Sequence, residues 1–253
     1  MINIQNKLVS GLPLLEIVKD HLSEDALPTV FFYHGWEGYK ERVLEEAYIL
    51  AEQNFRVLLP DIYNHGERKK TKTQDPMTFW ELVGQSVEEF PRIVDFYVEE
   101  NKAIADRIGV AGLSMGGIIT SAILTQFDWV KSVSILMGSP SPIELTQWIL
   151  KNNQMDSNLD KRVKNEDFVE QKLKELVPIS LNLQAEKIAG RSVYFWHGLD
   201  DDVVPAALTK DFVEENKKTD YGKNIRLELT AGVGHTVPGH IIKQMAHHFV
   251  DNL

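Results

Sequence analysis

Short apolar runs alternate along most of the chain with longer stretches in which apolar residues recur at about every third or fourth position. A short continuous apolar run is typical of a buried strand, whereas the wider spacing is typical of an amphipathic helix. The pattern predicts strands at 2–9, 13–19, 29–33, 55–59, 108–113, 130–137, 192–196 and 225–229. It predicts helices at 40–53, from beyond 76 to about 100, from 118 to about 127, at 206–216 and at 239–252. Because strands alternate with helices, we predict an α/β fold with a mostly parallel, twisted sheet and helices on both faces.

Two intervals depart from this alternation. The first two strands follow each other directly, so we expect them to pair through a turn at Ser10-Gly11. The interval 140–191 contains no strand pattern and is far longer than an ordinary connection. Its apolar positions predict two short helices, one with Ile143, Leu145, Trp148 and Ile149 and one with Phe168, Val169, Leu173 and Leu176. We therefore predict one domain over 1–253 with a helical insertion at about 141–190, either a lid over the carboxyl edge of the sheet or a helical pair on its side.

The composition is ordinary for a soluble globular protein. Of the 253 residues, 43% are apolar and 25% are charged, and no apolar stretch is long enough to span a bilayer. The segment 1–6 has neither the basic region nor the apolar core of a secretory signal. The chain has no cysteine, which excludes disulfides, thiolate metal sites and a cysteine nucleophile. We therefore expect a cytoplasmic protein.

The charge balance bears on possible partners. The net charge is −10, from 27 basic and 37 acidic residues, and this sign opposes binding to nucleic acids and to anionic membranes. One basic cluster occurs in a polar stretch and is expected to be a solvated face; it comprises Arg68, Lys69, Lys70 and Lys72. We expect neither nucleic acid nor membrane as a partner, and a monomer or a homodimer.

The strand predicted at 108–113 runs into a Gly-x-Ser-x-Gly turn, formed by Gly112, Ser114 and Gly116. In this strand–turn–helix context, a serine on a sharp, strained bend projects its hydroxyl out of the sheet and can act as a nucleophile. The flanking glycines supply the space that larger side chains would fill. A glycine-rich loop with no chemical role would show the same five residues, so the motif is only moderately specific by itself.

A serine nucleophile needs a base, and eight histidines are candidates. His235 lies between the last predicted strand and the last predicted helix, in a glycine-containing loop that can carry an imidazole over the sheet edge. His240 is its nearest rival but falls within the start of the helix. The remaining alternatives lie in polar or helical surroundings where surface or packing roles are expected: His21, His247 and His248. We therefore predict His235 as the base.

The imidazole in turn needs a carboxylate that holds its tautomer and orientation. The candidates are three adjacent aspartates after the strand at 192–196, namely Asp200, Asp201 and Asp202, and spacing alone does not choose among them. One of them could cap the following helix and another could be solvated. Active residues of parallel sheets gather beyond the carboxyl ends of strands, where the serine, these aspartates and His235 all fall.

At this point the chain resembles the α/β-hydrolases, whose fold has the order serine, acid, histidine along the chain. Within the fold it is most similar to small bacterial serine carboxylesterases related to the prolyl-oligopeptidase and dienelactone-hydrolase group. The resemblance covers nearly the whole chain and is strongest at 33–38 (Tyr-His-Gly-Trp-Glu-Gly) and 60–68 (Pro-Asp-Ile-Tyr-Asn-His-Gly-Glu-Arg). The family pattern His-Gly-x-x-Asp-x-x-Val-Pro, laid on 197–205, implies Asp201 as the acid.

Acyl transfer also needs hydrogen-bond donors for the developing oxyanion. The residue after the nucleophile supplies one backbone N–H, here that of Met115. The resemblance implies that the second donor is the N–H of Trp36, after His34-Gly35. It also implies that His34 braces its loop and that His65-Gly66 is structural.

These residues predict a serine carboxylesterase that hydrolyses small, short-chain carboxylic esters without a metal or organic cofactor. Thioester, amide or acyl-peptide hydrolysis on the same residues and a non-catalytic ligand-binding protein are the alternatives; a dehalogenase would have an aspartate in place of Ser114. Dienelactone hydrolases of this group carry a cysteine nucleophile, which this chain lacks, and prolyl oligopeptidases carry a propeller for which it has no room. An apolar pocket, if these residues do not simply belong to the core, would be lined by Trp36, Trp80, Met137 and Trp148.

Overall fold

The apolar runs form the strands of a single sheet in a computed structural model of the chain, which describes residues 1–70, 78–152 and 165–253. The eight strands among these residues are β1 (Ile2–Val9), β2 (Leu12–Lys19), β3 (Leu27–Tyr33), β4 (Arg56–Pro60), β5 (Ala103–Leu113), β6 (Ser132–Leu136), β7 (Ser192–Gly198) and β8 (Ile225–Thr230). Their lateral order is β1-β2-β4-β3-β5-β6-β7-β8. The pairs β1–β2 and β2–β4 are antiparallel and the other five pairs are parallel. The predicted α/β fold with a mostly parallel sheet is confirmed.

Seven α-helices lie in the described part of the chain. They are α1 (Leu44–Glu52), α2 (Phe79–Glu99), α3 (Met115–Gln126), α4 (Pro142–Asn152), α5 (Glu166–Leu176), α6 (Ala206–Asn216) and α7 (Gly239–Asn252). No helix among the described residues has the length and apolar character needed to cross a membrane. The predicted helix at 40–53 is wrong in its first turn, because Lys40–Val43 form a 3₁₀ turn before α1.

Strand boundaries differ from the prediction where polar residues occupy a strand. β5 begins at Ala103 rather than 108, because a largely exposed stretch pairs with the start of β3 through an irregularity in register. The strand predicted at 55–59 is shifted by one residue, because Pro60 is the last residue of β4 and lies opposite Leu14 in an antiparallel pair. The turn predicted at Ser10-Gly11 is confirmed: both residues have positive φ, as the twist of a two-residue hairpin requires.

Alternating side chains of the central strands supply two separate apolar cores. On β3, Phe31 and Tyr33 face the core formed with α2, α3 and α6, whereas Val30 and Phe32 face the core formed with α1 and α7. This period of two is what a strand buried on both faces shows. The sheet is therefore the central layer between the two cores, and its six neighbouring parallel strands, from β4 to β8 across the sheet, end at one common edge.

The insertion between β6 and β7 contains no strand among its described residues. The two short helices predicted there are present as α4 and α5, and residues 153–164 between them lie outside the described part. Three 3₁₀ turns follow over 177–188 and contact α3. The Arg191 guanidinium, at the start of β7, then donates to the carbonyls of Leu124, Phe127 and Val130, which anchors this end of the insertion at the end of α3.

The basic cluster at 68–72 is only partly the solvated face that was expected. Lys69 and Lys70 are exposed, but the Arg68 side chain is only 12% exposed and donates two hydrogen bonds to Glu89 on α2, at 2.7 and 2.6 Å. A planar guanidinium matches a carboxylate in this two-bond geometry, which the run of basic letters does not reveal. Lys72 lies outside the described residues.

Candidate active site

The candidate nucleophile lies on a strained bend at the carboxyl end of β5. Ser114 has φ 55° and ψ −120°, outside the conformations that side-chain-bearing residues ordinarily adopt, and its N–H donates to Leu136 O at 2.9 Å. Such a conformation costs about 1–3 kcal/mol and persists only where the surrounding structure holds it. Here the chain passes directly from a buried strand into α3, so the bend is held from both sides.

The two glycines of the bend provide space rather than unusual backbone angles. A Cβ on Gly116 would overlap the Tyr33 carbonyl at the end of β3, and a Cβ on Gly112 would overlap the carbonyl of Gly116. Neither glycine has a positive φ. The bend is thus packed against the neighbouring strand end so closely that no side chain fits, as the sequence predicted.

A continuous hydrogen-bonded chain links the three predicted polar residues. Ser114 Oγ lies 2.8 Å from His235 Nε2, and His235 Nδ1 lies 2.7 Å from Asp201 Oδ2. Because a carboxylate only accepts, Nδ1 carries the imidazole proton and Nε2 is left to accept from the Ser114 hydroxyl. This is the arrangement in which a histidine can take a proton from serine.

Burial separates Asp201 from its two neighbours. Asp200 and Asp202 are exposed, whereas Asp201 is buried, and its Oδ1 accepts the N–H groups of Val203 and Val204, each at 2.9 Å. No aspartate caps α6, whose N-cap is Pro205.

The environment of Asp201 favours its charged form. Burial by itself raises the pKa of this carboxyl, but hydrogen bonds from His197, His235 and the two backbone N–H groups outweigh it and hold the pKa well below its usual range. Asp201 is therefore ionised throughout the neutral and mildly acidic range.

The loops after β7 and β8 are fastened to each other, which places His235 over Asp201. Asp200 N donates to Val233 O at 3.0 Å, and a Cβ on Gly198 would overlap that same carbonyl. Gly232, at φ 73°, lets the chain reverse after β8.

The other histidines weighed as bases lie elsewhere. His240 is exposed on α7, as is His247. His248 is buried on α7 and contacts Ser132 Oγ at 2.9 Å, and His21 is exposed in a 3₁₀ turn.

The two backbone N–H groups predicted to bind the oxyanion belong to segments next to Ser114. Met115 is the first residue of α3, so its N–H has no acceptor within the helix. The turn after β3 reaches the same point, because a Cβ on Gly35 would lie only 3.5 Å from Ser114 Cβ. Trp36 follows Gly35 directly, which brings the second predicted donor to the same edge.

Two histidines clamp the turn that carries Trp36. His34 Nε2 accepts the Ile62 N–H at 3.2 Å and His65 Nε2 accepts the Glu37 N–H at 3.1 Å. A ring nitrogen that accepts a backbone N–H carries no proton, so both imidazoles are neutral in this arrangement. These contacts agree with the bracing and structural roles that the resemblance implied.

A buried ion pair strengthens the same clamp. Lys40 Nζ lies 3.0 Å from Asp61 Oδ2, and Asp61 Oδ1 accepts the Lys40 N–H at 2.9 Å. Burial lowers the pKa of Lys40, but the hydrogen bonds that its ammonium donates to Glu67, Asp61 and Glu41 more than offset this and raise the pKa above its usual value. Gly66, at φ 48°, is required beside this pair because a Cβ there would overlap the Asp61 carboxylate.

The hydrogen bond that the neutral His34 ring accepts from the Ile62 N–H predicts a loss of stability in mild acid. Burial lowers the pKa of His34 to about 4, while the unfolded chain takes up the proton near 6.5, so unfolding is favoured as the pH falls from about 6.5 to 4. His34→Gln should reduce this pH-dependent loss by up to about 2 kcal/mol, measured by urea unfolding at pH 7.5 and pH 5. Burial also lowers the pKa of His248 to about 4, so part of the dependence should remain.

The matched control for that experiment is His240→Gln, which changes an exposed histidine. It should retain the wild-type difference between the two pH values. An equal pH-dependent loss in His34→Gln and wild type would contradict the role assigned to His34.

The predicted pocket residues lie in two different places. Trp36 contacts Phe79, with ring centroids 5.5 Å apart, and Phe79 contacts Trp80 at 4.9 Å, so an aromatic row begins at the candidate oxyanion turn. Trp148 on α4 is half-buried against the same core as α3. Met137 is buried in the core on the α1 and α7 side.

Two residues near the site were not singled out from the sequence. Phe79 connects Trp36 to Trp80, but a single aromatic residue at a helix start carries no distinguishing signal. His197 is fully buried at the end of β7 and lies 3.2 Å from Asp201 Oδ2. The His-Gly pair at 197–198 belongs to the pattern that selected Asp201, and this was the signal that could have drawn attention to it.

Comparisons with known proteins agree with this geometry. A family model described as "Dienelactone hydrolase family" matches residues 20–238, a range that includes Ser114, Asp201 and His235. "Putative esterase YitV" of Bacillus subtilis strain 168 is 41% identical over 219 residues, which cover 86% of this chain and 85% of that protein. "Esterase YjfP" of Escherichia coli K12 is 27% identical over 238 residues, which cover 94% of each chain.

Among solved structures, TT1662 from Thermus thermophilus superposes with a TM-score of 0.73 at 18% identity and covers 99% of both chains. At this identity the likeness shows the shared fold. The family model matches most of the chain, and one relative is 41% identical; these two findings show the family as well as the fold. The chain is a hydrolase, and it belongs to the dienelactone hydrolase family of the α/β-hydrolase superfamily.

Proposed function

We propose that the chain is a serine carboxylesterase that hydrolyses small, short-chain esters through an acyl-enzyme on Ser114. The observation that carries this proposal is the unbroken hydrogen-bonded chain from Ser114 through His235 to Asp201, at 2.8 and 2.7 Å. A serine hydroxyl is a weak nucleophile at neutral pH, and this chain supplies the base that activates it.

In the proposed acylation step, Ser114 Oγ attacks the ester carbonyl while His235 Nε2 takes its proton. The imidazolium that forms is stabilised by Asp201, which stays ionised because four hydrogen-bond donors surround its carboxylate. His235 then gives the proton to the alkoxy oxygen of the tetrahedral intermediate, and the alcohol leaves.

In deacylation, the roles repeat with water as the nucleophile. His235 removes a proton from water, the hydroxide attacks the acyl carbonyl, and the proton returns to Ser114 Oγ as the acid departs. In both steps the Met115 and Trp36 N–H groups hold the oxyanion. Oriented backbone donors of this kind lower the barrier because they need no rearrangement when the charge develops. The proposed cycle requires neither a metal nor an organic cofactor.

The proposed acyl pocket lies along the aromatic row that starts at Trp36. Phe79 contacts both Trp36 and Trp80, and all three rings are only partly buried, so they offer an apolar wall beside the oxyanion donors. Bulky rings close to the reacting carbonyl favour a short acyl group. Met137 is left out of this pocket, because it is buried in the opposite core.

We also propose that the insertion at 141–190 acts as a lid within a single domain. The turn before α4 lies beside the serine bend, since a Cβ on Gly117 would be 3.1 Å from Gly138 Cα. α4 begins at Pro142 and carries the half-buried Trp148. The lid would therefore border the pocket on the side of α3.

A cytoplasmic location, suggested by the absence of cysteine, is part of the same proposal.

Two measurements on the wild type test the proposed function. A fluorophosphonate probe should label the chain at Ser114, identified by peptide mass analysis. A series of p-nitrophenyl esters should be hydrolysed fastest as acetate or butyrate and slowly as octanoate or longer. Labelling with fast turnover of amides or thioesters instead would redirect the substrate assignment. No labelling and no turnover would reject the serine mechanism and favour a binding protein on this fold.

A further inference from the structure

His197 shares the carboxylate oxygen that binds His235. Its side chain is fully buried at the carboxyl end of β7, and its Nε2 lies 2.8 Å from Val204 O and 3.2 Å from Asp201 Oδ2. Both neighbours are acceptors at neutral pH, because one is a carbonyl and the other is an ionised carboxylate. Nε2 must therefore carry a proton that is shared between them.

The other ring nitrogen supports this assignment. Nδ1 of His197 is buried and has no hydrogen-bond partner among the described residues. A proton on Nδ1 would be a buried donor without an acceptor, which is the more expensive arrangement. We assign His197 to the tautomer with the proton on Nε2 and a lone pair on Nδ1.

Asp201 consequently has a symmetric set of donors. Oδ1 accepts two backbone N–H groups, from Val203 and Val204, and Oδ2 accepts two imidazole N–H groups, from His235 at 2.7 Å and from His197 at 3.2 Å. Val204 also accepts from His197 through its carbonyl, so the ring, the turn and the carboxylate form a closed triangle. This triangle fixes the rotation of the carboxylate about its own bond.

We propose that His197 is a positioning residue that holds Asp201 in its rotamer and weakens the pull of Oδ2 on His235. The inference rests on the proposed serine mechanism. A second N–H on Oδ2 disperses the negative charge that stabilises the His235 imidazolium, so loss of this N–H would leave more of that charge facing His235. Among the residues that the structure describes, the titratable groups within hydrogen-bond reach of the His197 ring are Asp201 and, through the shared oxygen, His235.

The geometry selects the variants that test this role. In His197→Gln the amide nitrogen can occupy the position of Nε2 and keep the donor. In His197→Asn the amide nitrogen falls near the position of Nδ1, so the donor to Asp201 is lost although the residue stays polar. His197→Leu removes the donor and keeps most of the volume. His248→Gln, which changes a buried histidine outside the site, controls for the substitution itself.

The measurement is the pH dependence of p-nitrophenyl acetate hydrolysis, normalised to sites that react with fluorophosphonate. For His197→Asn and His197→Leu we expect kcat to fall roughly ten- to a hundredfold with little change in KM, as for loss of a hydrogen bond to a charged group. The acid limb of the profile should move to higher pH by roughly 0.5–1 unit. His197→Gln and His248→Gln should keep the wild-type limb.

Equal acid limbs in all four variants and wild type would reduce His197 to a packing residue and overturn the proposal. If the Asn and Leu variants do not fold, the ring proton of wild-type His197, located by ¹⁵N NMR, decides: a proton on Nδ1 rejects the inference and one on Nε2 supports it. Failure of the proposed function has a different signature, because the wild type itself would then neither hydrolyse the ester nor react with the probe.

Discussion

Ser114→Ala is expected to lower kcat for p-nitrophenyl acetate by at least about 10⁴-fold and to abolish fluorophosphonate labelling. The reason is that the acyl-enzyme cannot form without Oγ, while the rest of the site remains. The substitution removes only the hydroxyl at a position with φ 55°. The neighbours of the bend on β3 and α3 hold its conformation, so the variant should stay folded. The measurement is steady-state kinetics with a folded-state check by circular dichroism.

A matched control for this variant is Ser141→Ala, a buried serine just before α4 whose backbone carbonyl accepts from Leu145 and whose side chain has no assigned role. It should stay within a few-fold of wild-type activity. Retention of most esterase activity by Ser114→Ala would contradict the proposed mechanism even if the Ser141 variant behaved as expected.

Asp201→Asn should lower kcat by about 10⁴-fold while leaving the fold intact. The structure gives the direction of the amide. Its oxygen must remain at the Oδ1 position, because the Val203 and Val204 N–H groups donate there, and this turns the NH₂ group toward His235 and His197. An NH₂ group facing His235 Nδ1 forces the imidazole proton onto Nε2. Nε2 can then no longer accept a hydrogen bond from Ser114.

Asp200→Asn and Asp202→Asn are the controls for the Asp201 experiment, since both remove one charge from the same short segment. Their side chains are exposed, so each should retain activity within about twofold of wild type, as surface substitutions generally do. A large loss in either control with a small loss in Asp201→Asn would assign the role of the acid to that neighbouring aspartate. Rates measured in parallel at pH 7.5 distinguish these outcomes.

Much of the fold could be predicted because a strand that is buried on both faces of the sheet has a continuous run of apolar residues. The order of strands and helices followed from those runs, and the Gly-x-Ser-x-Gly bend was located by its strand–turn–helix context. Positions where polar residues continue an element, as at the start of β5, were missed because extended backbone with exposed side chains has no periodic signal. Arg68 was misjudged for a related reason: its partner Glu89 lies on α2 and is a neighbour only in the folded chain.

The site was predictable in part. Three adjacent aspartates have the same chemistry in the sequence, and only a family pattern singled out Asp201; in the structure, burial and the turn at 203–204 distinguish it. His197 could not be recognised as a neighbour of Asp201 from spacing alone, because the two meet only when the chain turns over 198–201, where the Asp201 N–H donates to Gly198 O. Contacts that form only when a loop folds back on itself cannot be predicted from the sequence pattern.

The separation of Ser114 and His235 has a consequence for how the molecule matures. The two residues that share the 2.8 Å hydrogen bond are 121 positions apart, and the base follows the edge strand β8. Contacts between such distant segments are slow to form, because the entropy of closing a long loop is lost before the contacts can stabilise the fold. Under the proposed mechanism, a chain still emerging from the ribosome cannot use Ser114 for ester cleavage until β8 has paired and brought His235 to it. Under the proposed mechanism, ester hydrolysis would therefore report that β8 and the loop carrying His235 have joined the rest of the sheet.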